Sequence, residues 1–248
     1  MQLIIDIGNT RIKATFFDNN ELKNKFVANS IDELLAANWF CEAKIERSII
    51  STVTVYPEKL VNAIKQKCEP ILFSASTPVP IINKYNSAQT LGSDRLAAAV
   101  GGNFNFPNTN LLIIDAGTCV KYNFVNSNNE YLGGGISPGL KMRFQSLHNF
   151  TARLPLVEFD KSFNTLIGTN TKASILSGIQ NGMIAEIDGI IDGYKKEFPN
   201  LKVLLTGGDV DFFEKQLKNS IFADFFLIEK GLNTILNYNF NNLNVEKK

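Results

Sequence analysis

The chain of 248 residues contains one histidine, His148, and three cysteines, Cys41, Cys68 and Cys119, with no C-x-x-C spacing. A single histidine argues against zinc catalysis, which draws on several His or Cys ligands. It also leaves any Ser-His-Asp scheme with one candidate base, and a lone histidine reads first as a surface or packing residue. Three unspaced cysteines read as reduced thiols of a cytoplasmic protein. Neither sign of charge is in excess: 25 Lys and Arg against 24 Asp and Glu leave a net of +1. With no basic surplus to neutralise phosphates, nucleic acid is not an expected partner. No run approaches the ~18 apolar residues of a membrane helix, so no membrane partner is expected either. Asp6 interrupts the first apolar stretch too early for the core of a signal peptide. Neither G-x-x-x-x-G-K-[ST] nor G-x-G-x-x-G occurs, which excludes the commonest phosphate-binding loops.

What is present is ordinary globular composition, 44% hydrophobic and 20% charged. That is too apolar and too neutral for a disordered chain. At ~150 residues per domain the length suits one large or two small domains. Apolar runs at 2–7 and 12–17 flank a Gly-Asn-Thr turn and predict two strands. Ser30 followed by Glu33 opens a helix over 30–38. A β-rich run at 47–53 precedes helical spacing over 57–67. Short apolar pieces follow at 71–73 and 80–82, then a small-residue helix over 91–101. Strand, turn and strand return at 111–125. A long amphipathic helix is expected over 178–197 and a buried strand over 202–206. A helix from about 211, a strand near 224–228 and a helix from Leu232 finish the chain, with an Asn- and Lys-rich tail expected to fray.

One internal repeat organises this reading. LIIDIGNT at 3–10 matches LIIDAGTC at 112–119, aligning Asp6 with Asp115 and Gly8 with Gly117. Two copies so far apart imply a duplicated α/β domain rather than a solenoid. The Gly-, Pro- and Asn-rich stretch 102–110 reads as the linker, dividing the chain into 1–108 and 109–248. Two such hairpins facing each other would clamp a nucleotide in an interdomain cleft.

Four segments carry residues suited to chemistry. Asp6-Ile7-Gly8-Asn9-Thr10, with Lys13, combines a carboxylate for Mg²⁺, a flexible backbone, side-chain donors and a point charge. The same residues also make an ordinary hairpin turn. Gly92-Ser93-Asp94-Arg95 offers a carboxylate that can accept a proton from a hydroxyl beside a cation. It equally reads as an acidic helix start. Gly133–Gly139, with four glycines in GGGISPG, is either a loop touching a ligand or another backbone, or a flexible connection. Thr206-Gly207-Gly208-Asp209, between a strand and a helix, would let a ring or phosphate lie against the backbone.

Taken in order, DIGNTRIK at 6–13, Tyr85 with GSDR at 92–95, DAGT at 115–118, GGGISPGL at 133–140, TARLP at 151–155, Asn170-Thr171 and TGGD at 206–209 resemble the type III pantothenate kinases. These belong to the superfamily of acetate and sugar kinases, Hsp70 and actin. The resemblance spans about residues 2–235. It implies two duplicated RNase H-like domains with a nucleotide cleft between them, the actin-like ATPase architecture. It implies ATP-dependent phosphorylation of pantothenate, the first step of coenzyme A synthesis, by a cytoplasmic homodimer. It places Asp6, Ile7, Gly8, Asn9, Thr10, Arg11, Ile12, Lys13 and Thr118 at ATP, and Asp94 as proton acceptor. Tyr85, Gly92, Ser93, Asp94, Arg95 and Thr171 fall at pantothenate, and Asp115 at a monovalent cation, K⁺ or NH₄⁺. Mg²⁺ is implied with Asp6 as its carboxylate. Asn123 stands where an acidic residue is expected, and Ser87 where a Pro often stands. Two other readings are a superfamily kinase with another substrate and a non-catalytic regulatory relative. Retention of Asp6, Lys13, Asp94 and Asp115 argues against the second.

Overall fold

The computed structural model describes residues 1–245, the side chains of Trp39, Cys41 and residues 243–245 excepted. From the N-terminus the chain forms β1 (Gln2–Ile7), β2 (Ile12–Asp18), β3 (Glu21–Ala28), α1 (Ile31–Ala36), α2 (Asn38–Glu42), β4 (Arg47–Thr52), α3 (Glu58–Lys65), β5 (Pro70–Leu72) and β6 (Ile82–Asn83). A 3₁₀ turn at Ala88–Thr90 leads into α4 (Ser93–Asn105), β7 (Leu111–Ala116), β8 (Cys119–Val125), β9 (Glu130–Gly133), β10 (Ile136–Pro138) and α5 (Leu140–Asn149). The chain ends with α6 (Thr171–Glu197), β11 (Lys202–Thr206), α7 (Val210–Phe213), β12 (Phe222–Ala223) and α8 (Leu227–Val245).

Two compact units result. The first comprises Met1–Asn108, Asn126–Leu132 and the C-terminal stretch from Phe226. Its sheet runs β3-β2-β1-β4-β5. β1–β2 and β2–β3 are antiparallel, whereas β1–β4 and β4–β5 are parallel. Every residue of β1 is buried, as expected of a central strand covered on both faces. Leu3, Ile5 and Ile7 pack with Leu34 of α1 and with Leu60 and Ile64 of α3. Ile4 and Ile49 are also fully buried. Each such side chain contributes about 2 kcal/mol of burial. α1 starts as read from sequence: the Ser30 hydroxyl accepts from the Glu33 N–H at 3.1 Å. The Glu33 carboxylate reaches back one residue beyond the cap, to the Asn29 N–H at 2.8 Å.

α4 and α8 meet backbone to backbone. A Cβ on Gly101 would stand 2.2 Å from the Leu227 carbonyl oxygen, and one on Gly231 would stand 1.9 Å from that of Ala97. Glycine is required at both positions by this close approach.

The second unit comprises Thr109–Val125 and Gly133–Phe225. Within it the strand order is β12-β11-β7-β8, with β10 antiparallel to β8 off that path. β7–β8 is antiparallel, and β7–β11 and β11–β12 are parallel. The repeat seen in sequence is therefore a repeat of structure: β1, β2, β4 and β5 correspond to β7, β8, β11 and β12, the RNase H-like arrangement. Leu112 and Ile114 of β7 pack with Phe144 of α5, with Ile179, Met183 and Ile187 of α6, and with Val203 and Leu205 of β11.

Several expectations are corrected. The units differ from a linear division at residue 108, because α8 packs on α4 and because residues 126–132 bring β9 beside β6, pairing Ile82 with Glu130 and Asn83 with Tyr131. Residues 102–105, expected in the linker, extend α4. The strand expected near 224–228 is two residues at 222–223, and α8 begins at Leu227 instead of Leu232. α6 starts at Thr171, capped by the Asn170 side chain, which accepts from the Ala173 N–H at 2.9 Å. α8 continues to Val245, so the frayed tail concerns only residues outside those described. His148 is exposed, its Nδ1 2.9 Å from the Leu154 carbonyl, which agrees with a surface role.

Candidate active site

In the first unit the β1–β2 register sets Asp6 opposite Lys13. Directly opposed residues share a face of the sheet. Residues 8–11 form the connecting turn, closed by Gly8 N–H donating to the Arg11 carbonyl at 3.1 Å. Asn9, Thr10 and Arg11 are exposed, whereas Ile7 and Ile12 are buried beneath them. The turn thus offers donors from a rigid base. A Cβ on Gly8 would make only an ordinary contact, 3.4 Å to the Arg11 oxygen. The Lys13 ammonium lies 2.9 Å from a carboxylate oxygen of Glu229, whose side chain is 1% exposed.

The same end of this sheet carries the 92–95 segment. Asp6 and Ile7 of β1 pair with Ser51 and Thr52 of β4. Ser51 Oγ donates to Ser93 Oγ at 3.1 Å, and Ser93 Oγ donates to the Thr52 carbonyl at 3.1 Å. The start of α4 is therefore pinned to the strand beside Asp6. Asp94 Oδ1 accepts from the Arg95 N–H at 2.8 Å. A Cβ on Gly92 would lie 2.7 Å from that oxygen, so glycine leaves the carboxylate its room. Arg95 is buried, with its guanidinium 5.5 Å from the centre of the Tyr85 ring. Tyr85 rests on Tyr131, a fully buried side chain with its ring centre 6.1 Å away. Tyr85, Gly92, Ser93, Asp94 and Arg95 are thus gathered in one unit with residues 6–13.

In the second unit Asp115 stands opposite Lys121 and pairs with it directly, at 2.9 Å. The turn at 117–119 is closed by Gly117 N–H to the Cys119 carbonyl at 3.0 Å, and Thr118 is exposed. A Cβ on Gly117 would meet nothing within 4 Å. The Gly-rich loop contacts another backbone. Gly134, at φ +145°, lies where a Cβ would come 2.0 Å from the Tyr122 carbonyl oxygen, and a Cβ on Gly139 would come 2.0 Å from that of Gly117. Gly207, at φ +104°, abuts the Ala116 carbonyl rather than leaving room for a ring; Gly208 is open. Burial, and next the charge of Asp115, push the Asp209 carboxyl up to about 6. Thr171 opens α6 at a groove of about 380 Å³ whose lining includes neither Asp115 nor Thr118.

Among the described residues no three His, Cys, Asp or Glu side chains form a ready metal cage. The donors present suit hard cations held in part by phosphates and water: buried carboxylates Asp6 and Asp115 at strand ends, with Asp209 beside Asp115.

A family model described as type III pantothenate kinase matches residues 2–193. The chain belongs to that family. Family members are phosphotransferases with an alcohol group as acceptor. A type III pantothenate kinase of Bacteroides fragilis is 44% identical over 241 residues, covering 96% of this chain and 98% of that one. A solved Campylobacter jejuni structure, named as a Baf family transcriptional activator, superposes with a TM-score of 0.63 at 24% identity and covers 96% and 99% of the two chains. A Streptococcus pneumoniae ROK family protein gives a TM-score of 0.52 at 12% identity, covering 96% and 99%. The two structures support the fold alone.

Sequence reasoning missed Glu229, Arg143, Glu186 and Tyr131. Glu229 stands in LIEKGL, an apolar helix start where a Glu reads as a solvated residue, and its partner lies at the other end of the chain. Arg143 lies where no element was predicted and Glu186 within the long helix, and nothing in the sequence shows that the two meet.

Proposed function

We propose that the protein transfers the γ-phosphoryl group of ATP to the primary hydroxyl of pantothenate, the first step of coenzyme A synthesis. One observation carries this reading beyond family membership. Asp94 sits at the head of α4, its carboxylate fixed by the Arg95 N–H, on a helix start tied through Ser93 to the strand beside Asp6. Asp94 accepts the proton as the hydroxyl oxygen bonds to the γ-phosphorus and the bond to the β-phosphate bridging oxygen breaks, releasing ADP. The exposed turn at 8–11 and Thr118 hold the phosphates, Lys13 adds positive charge, and Arg95 with Tyr85 shapes the pantothenate site together with Gly92, Ser93 and Thr171. The glycines at 8 and 117 support phosphate contact, since packing alone does not demand them. Asp6 would hold Mg²⁺ and Asp115 K⁺ or NH₄⁺; when bound, these ions neutralise the phosphates.

The protein works in this reading as a cytoplasmic homodimer. The free thiols of Cys68 and Cys119 suit a reducing compartment. Phe150, Leu156, Leu166 and Ile167, between 55% and 88% exposed, supply an apolar surface of the kind a second subunit covers.

The test is turnover of pantothenate with ATP and Mg²⁺, with and without K⁺ or NH₄⁺, for the native protein and Asp94→Asn. The variant is expected to lose activity by about 10²–10⁴-fold while still binding nucleotide. Unchanged turnover in the variant would remove Asp94 from the chemistry.

A further inference from the structure

Thr118 reads as an ATP contact and sits exposed at the tip of a short turn whose position needs support. The support comes from behind. β10 runs antiparallel to β8, setting Pro138 opposite Cys119 and Ser137 opposite Val120. Gly139 N–H then donates to the Thr118 carbonyl at 3.1 Å. The missing side chain at Gly139 lets its backbone lie against the carbonyls of Gly117 and Thr118, where a Cβ would intrude to 2.0 and 2.6 Å. Residues 137–139 are thus the floor of the turn.

One guanidinium holds that floor. Arg143 of α5 donates from Nε to the Pro138 carbonyl at 2.9 Å and from its terminal nitrogen to Ser137 Oγ at 2.9 Å. The same nitrogen donates to Glu186 of α6 at 2.6 Å. Glu186 also accepts from the Tyr122 hydroxyl at 3.3 Å. Tyr122 lies on β8, the strand that follows Thr118, and exchanges backbone hydrogen bonds with Gly135 at 2.9 and 3.1 Å. Glu186 is therefore joined to the hairpin from both sides, through Tyr122 and through Arg143 with the floor. The planar guanidinium meets three acceptors in fixed directions, which a lysine ammonium cannot reproduce.

We propose that Arg143 and Glu186 are positioning residues that set the height and orientation of the 117–118 turn against the nucleotide phosphates. The proposal rests on the reading of Thr118 as a nucleotide contact. It predicts a larger effect on ATP than on pantothenate, because the floor contacts run to the nucleotide turn, whereas Thr171, the pantothenate residue on α6, lies about four helical turns from Glu186. A purely structural tie between α5 and α6 would lower stability without that selectivity.

The experiment compares the native protein with Arg143→Lys and Glu186→Gln, and with Ser137→Ala as a milder change. Steady-state KM values for ATP and pantothenate are measured beside the Kd of a fluorescent ATP analogue without pantothenate and the Tm. Arg143→Lys is expected to raise KM for ATP and the analogue Kd by about tenfold, the loss of one charge-assisted hydrogen bond's contribution. KM for pantothenate should stay within about twofold, and Arg143→Lys combined with Glu186→Gln should be little worse than Arg143→Lys alone. A lowered Tm with unchanged nucleotide affinity would overturn the proposal. Should the native protein bind the analogue but not phosphorylate pantothenate, the substrate reading fails and the analogue Kd still decides this one. A native protein that binds no nucleotide would overturn both.

Discussion

The hairpins at 2–18 and 111–125 share antiparallel pairing and a cross-strand Asp–Lys pair, yet their lysines are neutralised in different ways. Lys121 closes locally on Asp115 at 2.9 Å, with side chains 22% and 10% exposed. Lys13 stands opposite Asp6 in the same way, but its ammonium lies 2.9 Å from Glu229, which α8 brings from the far end of the chain. The turns differ as well, four residues at 8–11 against three at 117–119. Beside the first turn a half-exposed lysine pairs with a buried carboxylate; the second turn rests on a glycine-lined floor held by Arg143. The comparison shows that a duplicated local pattern leaves its electrostatic partner open, and that each copy has acquired its own.

The contrast can be broken most sharply at Lys13. Replacing it by Met strands a carboxylate that is 1% exposed, at a cost of about 3 kcal/mol in urea unfolding. Adding Glu229→Gln should return most of that loss. A cost below about 1 kcal/mol, or no return in the double variant, would show that Lys13 does not neutralise Glu229. Lys121→Met should cost less, about 1–2 kcal/mol, because Asp115 keeps more contact with water. Equal costs for the two lysines would erase the distinction between the hairpins.

The smallest effect concerns pH. Burial pushes Glu186 up, but hydrogen bonds from Arg143, Ser137 and Tyr122 together with the Arg143 charge outweigh it and leave the carboxyl below its ordinary value. Asp160, through its hydrogen bonds from Ser162, and Asp192, through Lys218 and Asn219, are also lowered. All three lie in the second unit, Glu186 and Asp192 on α6 itself, whereas the raised Asp209, off that helix, acts in the opposite sense. Stability from a lowered carboxylate is present above its unfolded value and is lost as the pH falls through the lowered range. Hydrogen exchange between pH 7 and pH 3.5 should therefore show α6 losing protection ahead of β1 and β4. Loss in the opposite order would contradict it.

Much of the site was legible in sequence because it is local. Strand, turn and strand at 6–13 and 115–118 follow from apolar runs around a glycine, and α1 from Ser30 and Glu33. The start of α6 was legible in principle, in the cap at Asn170. β3 escaped because half of its residues, ELKNKFVA, are polar and five of the eight are exposed, fitting an exposed edge. The apolar FFLI at 225–228 resembles a strand, and short apolar runs do not separate strand from helix. It became the entry to α8 because Gly101 and Gly231 let two helix backbones touch.

The sequence by itself determined the duplication, the two Asp-x-Gly hairpins, the acidic start of α4 and the family, since each depends on neighbouring residues or on ordered motifs. Tertiary structure alone decided that α8 belongs to the first unit, that Glu229 neutralises Lys13, that Tyr85 rests on Tyr131 and that Arg143 with Glu186 supports the second turn. Those partners are distant in the chain, and only close backbone approach and burial, which raise the cost of any unpaired charge, select them.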